Sequence, residues 1–390
     1  MPVSSGNRIE SQLLRKINER RLLDVIQHKG PLSRAAIARV SGLTAPTVSK
    51  AVDSLLKHGF IEEIDPPEQL RGRPGKLVRM AVESAAVIGI SIDTHVCCVV
   101  SAGLDGGVTE ARTRRFVTPS TYDALIDDLE SRCRELLDDI PGRMHGIGVC
   151  APGLVNERLG EIVFCPNLHL LDKRNPARDL EARLAVKAVL LQEIDGLCLS
   201  EWMYGVARSL NDFALLDVSI GLGMGVMCSG RLLGGRSGMA GELGHITVNP
   251  DGVRCGCGNH GCLETLATDT ALVRLISEKD GISRSLNEVA TALDERPSAY
   301  EHEVRTTSEY LAIAIAAAIN ICNPTMLFVH GTLLVANEER FARVLELVKN
   351  RTLTASLAEC TIVPTKSSKR QAAIAGIMHH LTSDWAPAIP

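Results

Sequence analysis

Between Gly241 and Glu264 the chain sets a Gly-Glu-Leu-Gly-His segment and then three cysteines, Cys255, Cys257 and Cys262, in a glycine-rich loop. No other stretch limits the possible folds so tightly. Three thiolates and the imidazole of His245 form the donor set of a tetrahedral Zn²⁺ site, and a Cys-x-Cys pair flanked by glycines lets one loop wrap the ion. Four protein ligands close the coordination sphere and leave no position for a catalytic water. The expectation is therefore one structural zinc per chain. His260 is a rival ligand, but it sits between two thiolates on a crowded loop. The other nine cysteines are scattered singly or as Cys97-Cys98, and read as small buried hydrophobes. Clustered cysteines beside a histidine point to metal before disulfide in a cytoplasmic protein. A thiol redox sensor at the same loop is a thinner alternative.

The first 80 residues carry 14 Lys and Arg against 8 Asp and Glu, whereas the rest of the 390-residue chain carries 28 against 38. A basic head on an acidic body fits a nucleic-acid-binding module joined to something else. The head patterns as three helices and a hairpin. Apolar residues recur at Leu14, Ile17, Leu22, Val25 and Ile26. Ser33 caps a short second helix and Ser41-Gly42 makes a turn. Thr44 then caps a third helix with Val48, Val52, Leu55 and Leu56 as its buried stripe, and Gly59 stops it. Strands over 60–64 and 77–81 flank a charged Pro/Gly segment. This is the pattern of a winged helix-turn-helix. The third helix would enter the major groove of duplex DNA with Thr44, Pro46, Thr47, Ser49 and Lys50 nearest the bases and phosphates. Arg71 and Arg73, in an Arg-Gly-Arg-Pro wing, would reach the narrow minor groove.

From Val82 the pattern changes to an α/β body: three consecutive strands (87–92, 97–102 and 108–116), a helix over 122–137, and a strand over 146–149. A helix near Leu180, a strand over 186–191 and a Gly-rich strand pair over 218–228 follow. Helices then dominate, with one late strand over 326–330. Residues 1–10 are polar, and the longest apolar run, 311–321, is shorter than the roughly 20 residues that span a bilayer. A cytoplasmic protein without membrane insertion is expected.

With Cys-x-Cys-Gly-x-x-Gly-Cys-Leu-Glu and Gly-Glu-Leu-Gly-His in place, the chain resembles the ROK family (repressors, open reading frames and sugar kinases), specifically its repressor branch. Ala151-Pro152-Gly153, Gly221-Leu222-Gly223-Met224-Gly225 and Asn323-Pro324 ahead of Gly331 support the match. The resemblance implies an α/β fold with an N-terminal winged helix-turn-helix over 1–81. A two-lobed, ribonuclease-H-like body of the actin/hexokinase type would follow. Its first lobe would span 82–200, completed by a last helix near 370–384, and its zinc-bearing second lobe 201–369. It further implies a homodimer or tetramer with a sugar or sugar phosphate effector. Glu242, His245 and Glu264 would hold the sugar hydroxyls, with Gly153 and Asn167 lining the same cleft. Zinc on one ring nitrogen of His245 would leave the other N–H aimed at a hydroxyl.

The chain departs from the kinases of that family. Their Asp-x-Gly-Gly-Thr phosphate motif is Ser91-Ile92-Asp93-Thr94-His95 here, with both glycines replaced. Their catalytic Asp falls at Glu193, one methylene longer and the sixth candidate sugar contact, with Asp195 nearby in an alternative register. Their late Gly-Gly is His330-Gly331. The expected function is a non-enzymatic, DNA-binding repressor of carbohydrate uptake or metabolism genes, acting on an operator and sensing a sugar in a kinase-like cleft. An ATP-dependent sugar kinase with a DNA-binding appendage is one alternative. Control by a protein of a sugar transport system is another.

Overall fold

The computed structural model describes residues 5–66, 75–140, 142–365 and 367–385. The chain opens with α1 (Ser5–Lys29), β1 (Leu32–Ser33), α2 (Arg34–Ser41), α3 (Ala45–His58), β2 (Ile61–Ile64) and β3 (Leu77–Met80). The Ser33 hydroxyl accepts the Ala36 N–H at 3.2 Å and so caps α2. Gly42 and Gly59 close α2 and α3 at φ 69° and 74°, a left-handed conformation that glycine adopts without a Cβ penalty. Val48, Ala51, Val52 and Leu55 form the buried stripe of α3. Thr44 occupies the cap position of α3, but its hydroxyl makes no cap hydrogen bond and meets the Thr47 hydroxyl at 2.9 Å instead. The three strands pair antiparallel in the order β1-β3-β2, so the expected hairpin is one strand wider. A two-residue strand leaves no period for a sequence to display.

The body continues with β4 (Ala85–Ser91), β5 (Val96–Ala102), β6 (Thr113–Val117), α4 (Tyr122–Asp138), β7 (Arg143–Ala151) and a small hairpin, β8 (Leu154–Asn156) with β9 (Glu161–Phe164). Then come α5 (Pro176–Leu184), β10 (Ala188–Gln192) and α6 (Glu193–Met203). The first sheet runs β10-β7-β4-β5-β6, with β4, β7 and β10 mutually parallel. Every residue of β4 is buried, as a strand covered on both faces requires. The strand expected from residue 108 begins only at Thr113, because Asp105-Gly106-Gly107 turns the chain first.

The chain next forms β11 (Phe213–Asp217), β12 (Gly223–Cys228), β13 (Arg231–Leu232), α7 (Glu264–Ala267), α8 (Asp269–Asp280), α9 (Leu286–Glu295) and α10 (Glu301–Cys322). It ends with β14 (Met326–His330), α11 (Glu338–Lys349), α12 (Thr354–Glu359), β15 (Thr361–Pro364) and α13 (Lys369–Trp385). The second sheet runs β13-β12-β11-β14-β15. The Gly-rich strand pair therefore starts earlier than its sequence suggests. Phe213–Asp217 is the first strand, and residues 218–222 form the connection. The glycines mark the bend and the second strand, while the apolar run before them carries the ladder.

Two compact units result. One comprises residues up to 152, 170–208 and from 368, and so includes the head, the first sheet and α13. The other comprises 153–169 and 209–367, and includes the second sheet. No helix among the described residues is long and apolar enough to cross a membrane.

In the first unit α13 lies on β4 and β7. A Cβ at Gly89 would stand 2.9 Å from the Ile374 side chain, and one at Gly148 would stand 2.0 Å from the Ala373 carbonyl oxygen. Glycine at both positions lets helix backbone approach strand backbone. Gly148→Ala should force α13 off the sheet and cost at least the 1–3 kcal/mol typical of overpacking. Differential scanning calorimetry should show the loss as a fall of several degrees in the melting temperature.

Candidate metal centre and nucleic-acid interface

The metal centre belongs to the second unit and is built by backbone constraint. Gly241, at φ 88°, presses on β12 so closely that a Cβ would meet the Met224 carbonyl oxygen at 1.9 Å. That contact fixes the single turn Leu243–His245 and with it the Glu242 and His245 side chains. Bridges Thr247↔Cys262 and Arg254↔His260 fold the cysteine loop back on itself. The His260 backbone pairs with Arg254 in the second bridge, and its side chain is not among the clustered donors.

One donor atom each from His245, Cys255, Cys257 and Cys262 lies within 4.8 Å of the other three. Cys255 and Cys262 are buried. Cys257 Sγ stands 3.7 Å from Cys262 Sγ, and His245 Nδ1 stands 3.6 Å from Cys255 Sγ. A tetrahedron with Zn–S bonds of about 2.3 Å has edges of roughly 3.8 Å, so the donors already sit at coordination spacing. Burial, and then the Glu264 carboxylate 2.8 Å away, push the Cys255 thiol above its ordinary pKa. A divalent cation reverses that preference by holding thiolates.

The two ring nitrogens of His245 face different neighbours. Nδ1 faces Cys255 and also lies 3.6 Å from Glu264 Oε1, whereas Nε2 lies 3.8 Å from Glu242 Oε2. Nδ1 is thus the nitrogen turned to the metal donors. Asn167 joins the same site, since a Cβ at Gly221 would lie 3.1 Å from Glu264 Oε2 and 3.8 Å from Asn167 Nδ2. Gly153, at φ 92°, packs against Phe164 and Cys165 at the base of the β8–β9 hairpin, two residues before Asn167. Glu242, His245, Glu264, Asn167 and Gly153 therefore all belong to one unit.

Glu193 belongs to the first unit, as the first residue of α6 after β10. Its carboxylate lies 2.8 Å from the Lys369 ammonium, which also lies 3.1 Å from Asp93. Lys369 was not foreseen from sequence. It starts a helix 176 residues further along, and no local motif ties it to Glu193. In the second unit His330 Nδ1 meets Asp217 Oδ1 at 2.9 Å across directly paired strand ends.

On the head, Thr44, Pro46 and Lys50 are exposed on the N-terminal half of α3, while Thr47 and Ser49 are half-buried. The Ser49 hydroxyl accepts a hydrogen bond from Arg34 at 3.1 Å, and Arg34 also pairs with Asp53 at 2.8 Å and Glu63 at 2.9 Å. Arg34 is a second residue that sequence reasoning missed, and it clasps α2, α3 and β2 together. Arg71 and Arg73 lie outside the described residues. Of the nine scattered cysteines five are buried, whereas Cys98, Cys322 and Cys360 are half-buried and Cys228 is exposed, against expectation, where β12 ends at the Ser229-Gly230 turn.

A winged-helix head on a sugar-kinase-like body defines a class of DNA-binding transcriptional regulator. The chain belongs to the ROK family, which it matches over residues 87–382, and its residues 16–72 match the MarR family. It is 27% identical over 379 residues to the DNA-binding transcriptional dual regulator NagC of Escherichia coli, covering 92% of this chain and 91% of that protein. It is 26% identical to the xylose repressor of Bacillus subtilis, covering 83% and 84%. Its fold matches a ROK family transcriptional regulator homologous to the E. coli MLC protein (TM-score 0.79, 23% identity, 95% of this chain and 97% of that one). It also matches a ROK family glucokinase from Streptomyces griseus solved with glucose and AMPPNP (TM-score 0.67, 20% identity, 76% and 98%).

Equilibration of metal-free protein with Co²⁺ should produce thiolate-to-metal charge-transfer absorption that saturates at one ion per chain. Cys257→Ser or Cys262→Ser should lower the affinity steeply. Saturation unchanged in both variants would place the ion elsewhere.

Proposed function

We propose that this protein is a transcriptional repressor of carbohydrate uptake or metabolism genes that binds operator DNA through α3 and the wing. It senses a sugar or sugar phosphate on a kinase-like body without phosphorylating it. The observation that carries the reading is the joining of a MarR-type head to a ROK body whose His245, Cys255, Cys257 and Cys262 sit at metal-coordinating distances beside Glu242 and Glu264. The metal is zinc, and its part is structural: it supplies charge that holds the thiolates and freezes the loop. His245 Nε2 then offers an N–H donor, while Glu242 and Glu264 offer carboxylate acceptors to vicinal hydroxyls. Asn167 and Gly153 line that same side, and Glu193, in the first unit, is a further candidate sugar contact in its own right. Helix-turn-helix proteins read paired half-sites, so a homodimer or tetramer is the working species on DNA.

Thr44, Pro46, Thr47 and Lys50 are the groove-facing residues of α3, with Ser49 held in place by Arg34. Arg71 and Arg73 supply the wing contacts.

The absence of kinase activity is part of this reading. Glu193 would have to accept a proton from a sugar hydroxyl, and its pairing with Lys369 opposes that. On the nucleotide side, His330 and Asp217 bring a side-chain pair, including a carboxylate, to strand ends where phosphates need bare backbone. Retention of the Gly221–Gly225 segment and the likeness to a glucokinase favour the second reading, a sugar kinase with a DNA-binding appendage.

One titration separates the readings. Fluorescence anisotropy on the protein's own upstream DNA, with a panel of sugars and sugar phosphates, should show salt-dependent binding that one ligand releases. Glu242→Ala should then raise the concentration of that ligand needed for release about tenfold to a hundredfold, the loss of one or two charged hydrogen bonds. Binding indifferent to every sugar would move the search to a transport-system protein. Sugar-dependent ADP release at ordinary kinase turnover would replace the repressor reading with the kinase.

A further inference from the structure

The first unit contains an element that reaches from the candidate sugar contact Glu193 to the DNA-binding head. α13 begins at Lys369 and ends at Trp385. At its first turn the Lys369 ammonium bridges Asp93, after β4, and Glu193, after β10, and all three side chains are less than 20% exposed. A cation in the first turn of a helix opposes the helix dipole. Its position there is held by the two carboxylates.

Along its middle every residue from Ala372 to Met378 is buried, between the sheet and α6, and Gly376 has its own close seat. A Cβ at Gly376 would stand 2.4 Å from the Leu191 side chain, and the seats at Gly89 and Gly148 are as close. A helix packed at that density does not bend locally; it moves as a piece. At its far end the Thr382 carbonyl accepts the Arg20 guanidinium N–H at 2.7 Å, and Arg20 is buried. The Trp385 indole N–H donates to Glu19 Oε2 at 3.0 Å. The Trp385 ring packs on Phe60 and His58, with centroids 5.0 and 4.7 Å away. Arg20 and Glu19 lie on α1, His58 ends α3, and Phe60 precedes β2, so this end of the helix holds the head.

We propose that α13 couples the Asp93–Glu193 end of the first unit to the head, with Lys369 as the trigger and the Arg20/Glu19/Trp385 cluster as the output. A ligand that competes for Glu193 or for Lys369 releases the first turn, and the displacement reaches α1 and α3 about 25 Å away, the length of a 17-residue helix. The biological meaning rests on the sensing role given above to Glu193. The coupling itself does not, and it is tested without any ligand.

The experiment is amide hydrogen exchange by mass spectrometry on the full chain, comparing wild type with Lys369→Met, Lys369→Arg and Glu193→Gln. Lys369→Met and Glu193→Gln should each raise exchange several-fold in α1 around residues 19–28 and in 55–61, while leaving the second unit unchanged. Lys369→Arg should restore protection. In a background carrying both Arg20→Leu and Trp385→Ala, which removes the Thr382 and the indole contacts together, Lys369→Met should add nothing further at 19–28. Three results would each overturn the coupling: a change confined to 91–95, 193–196 and the first turns of α13; equal loss across both units; or additive effects when Lys369→Met is placed in that background. Because no sugar is present, failure here leaves the sensing site standing, and failure of the sugar titration leaves this coupling standing.

Discussion

The backbone of α13 can lie against the backbones of β4 and β7 only because Gly89 and Gly148 carry no side chain. Much else follows from that seat. It covers one face of the first sheet, so β4 is buried throughout and apolar up to Ser91 instead of alternating. It brings Lys369 to the ends of β4 and β10, and it presents Thr382 and Trp385 to α1 and α3. A helix on a larger-residue sheet would stand some ångströms further out, and neither end would meet its partners.

The second unit relies on the same device at a smaller scale. Gly241 presses on β12, and the single turn it anchors sets Glu242 and His245. The cysteine loop is then laced by two bridges, which bring its three thiols to the imidazole of His245. His245 thus belongs both to the cluster that could hold a metal and to the candidate sugar contacts. The clustered thiols and five of the six candidate sugar contacts lie in the second unit, and the ion-paired helix, Glu193 and the DNA-binding head in the first.

What could be read from the sequence was what is local. The cysteine cluster, the third helix with its Gly59 stop and the late strand Met326–His330 each announce themselves within a few residues, and the structure has all three. Strand starts were less legible. Val108 and Val218 look like strand residues, but the turns around Gly106 and the pairing of Phe213–Asp217 decide otherwise. Least legible were the long-range partners. Lys369 and Glu193 are 176 positions apart, Trp385 and Glu19 366 apart, and Arg34 and Glu63 29 apart. Nothing in the spacing of charges along a chain records which of them will meet.

The place of α13 in the chain has a consequence for how the molecule comes to exist. The helix that completes the first unit follows the whole of the second unit in sequence. During synthesis the head and the strands β4 to β7 leave the ribosome well before residues 369–385 do. The sheet face bearing Gly89 and Gly148 stays uncovered throughout the making of the second unit. Closing the first unit thus requires contacts between residues 225 (Gly148 and Ala373) and 285 (Gly89 and Ile374) positions apart, a slow, high-contact-order step. Until it happens α1 has no Thr382 or Trp385 to lean on. A head folded early is joined to the first sheet through only residues 81–84, and it gains its contacts to Thr382 and Trp385 only when the last helix docks.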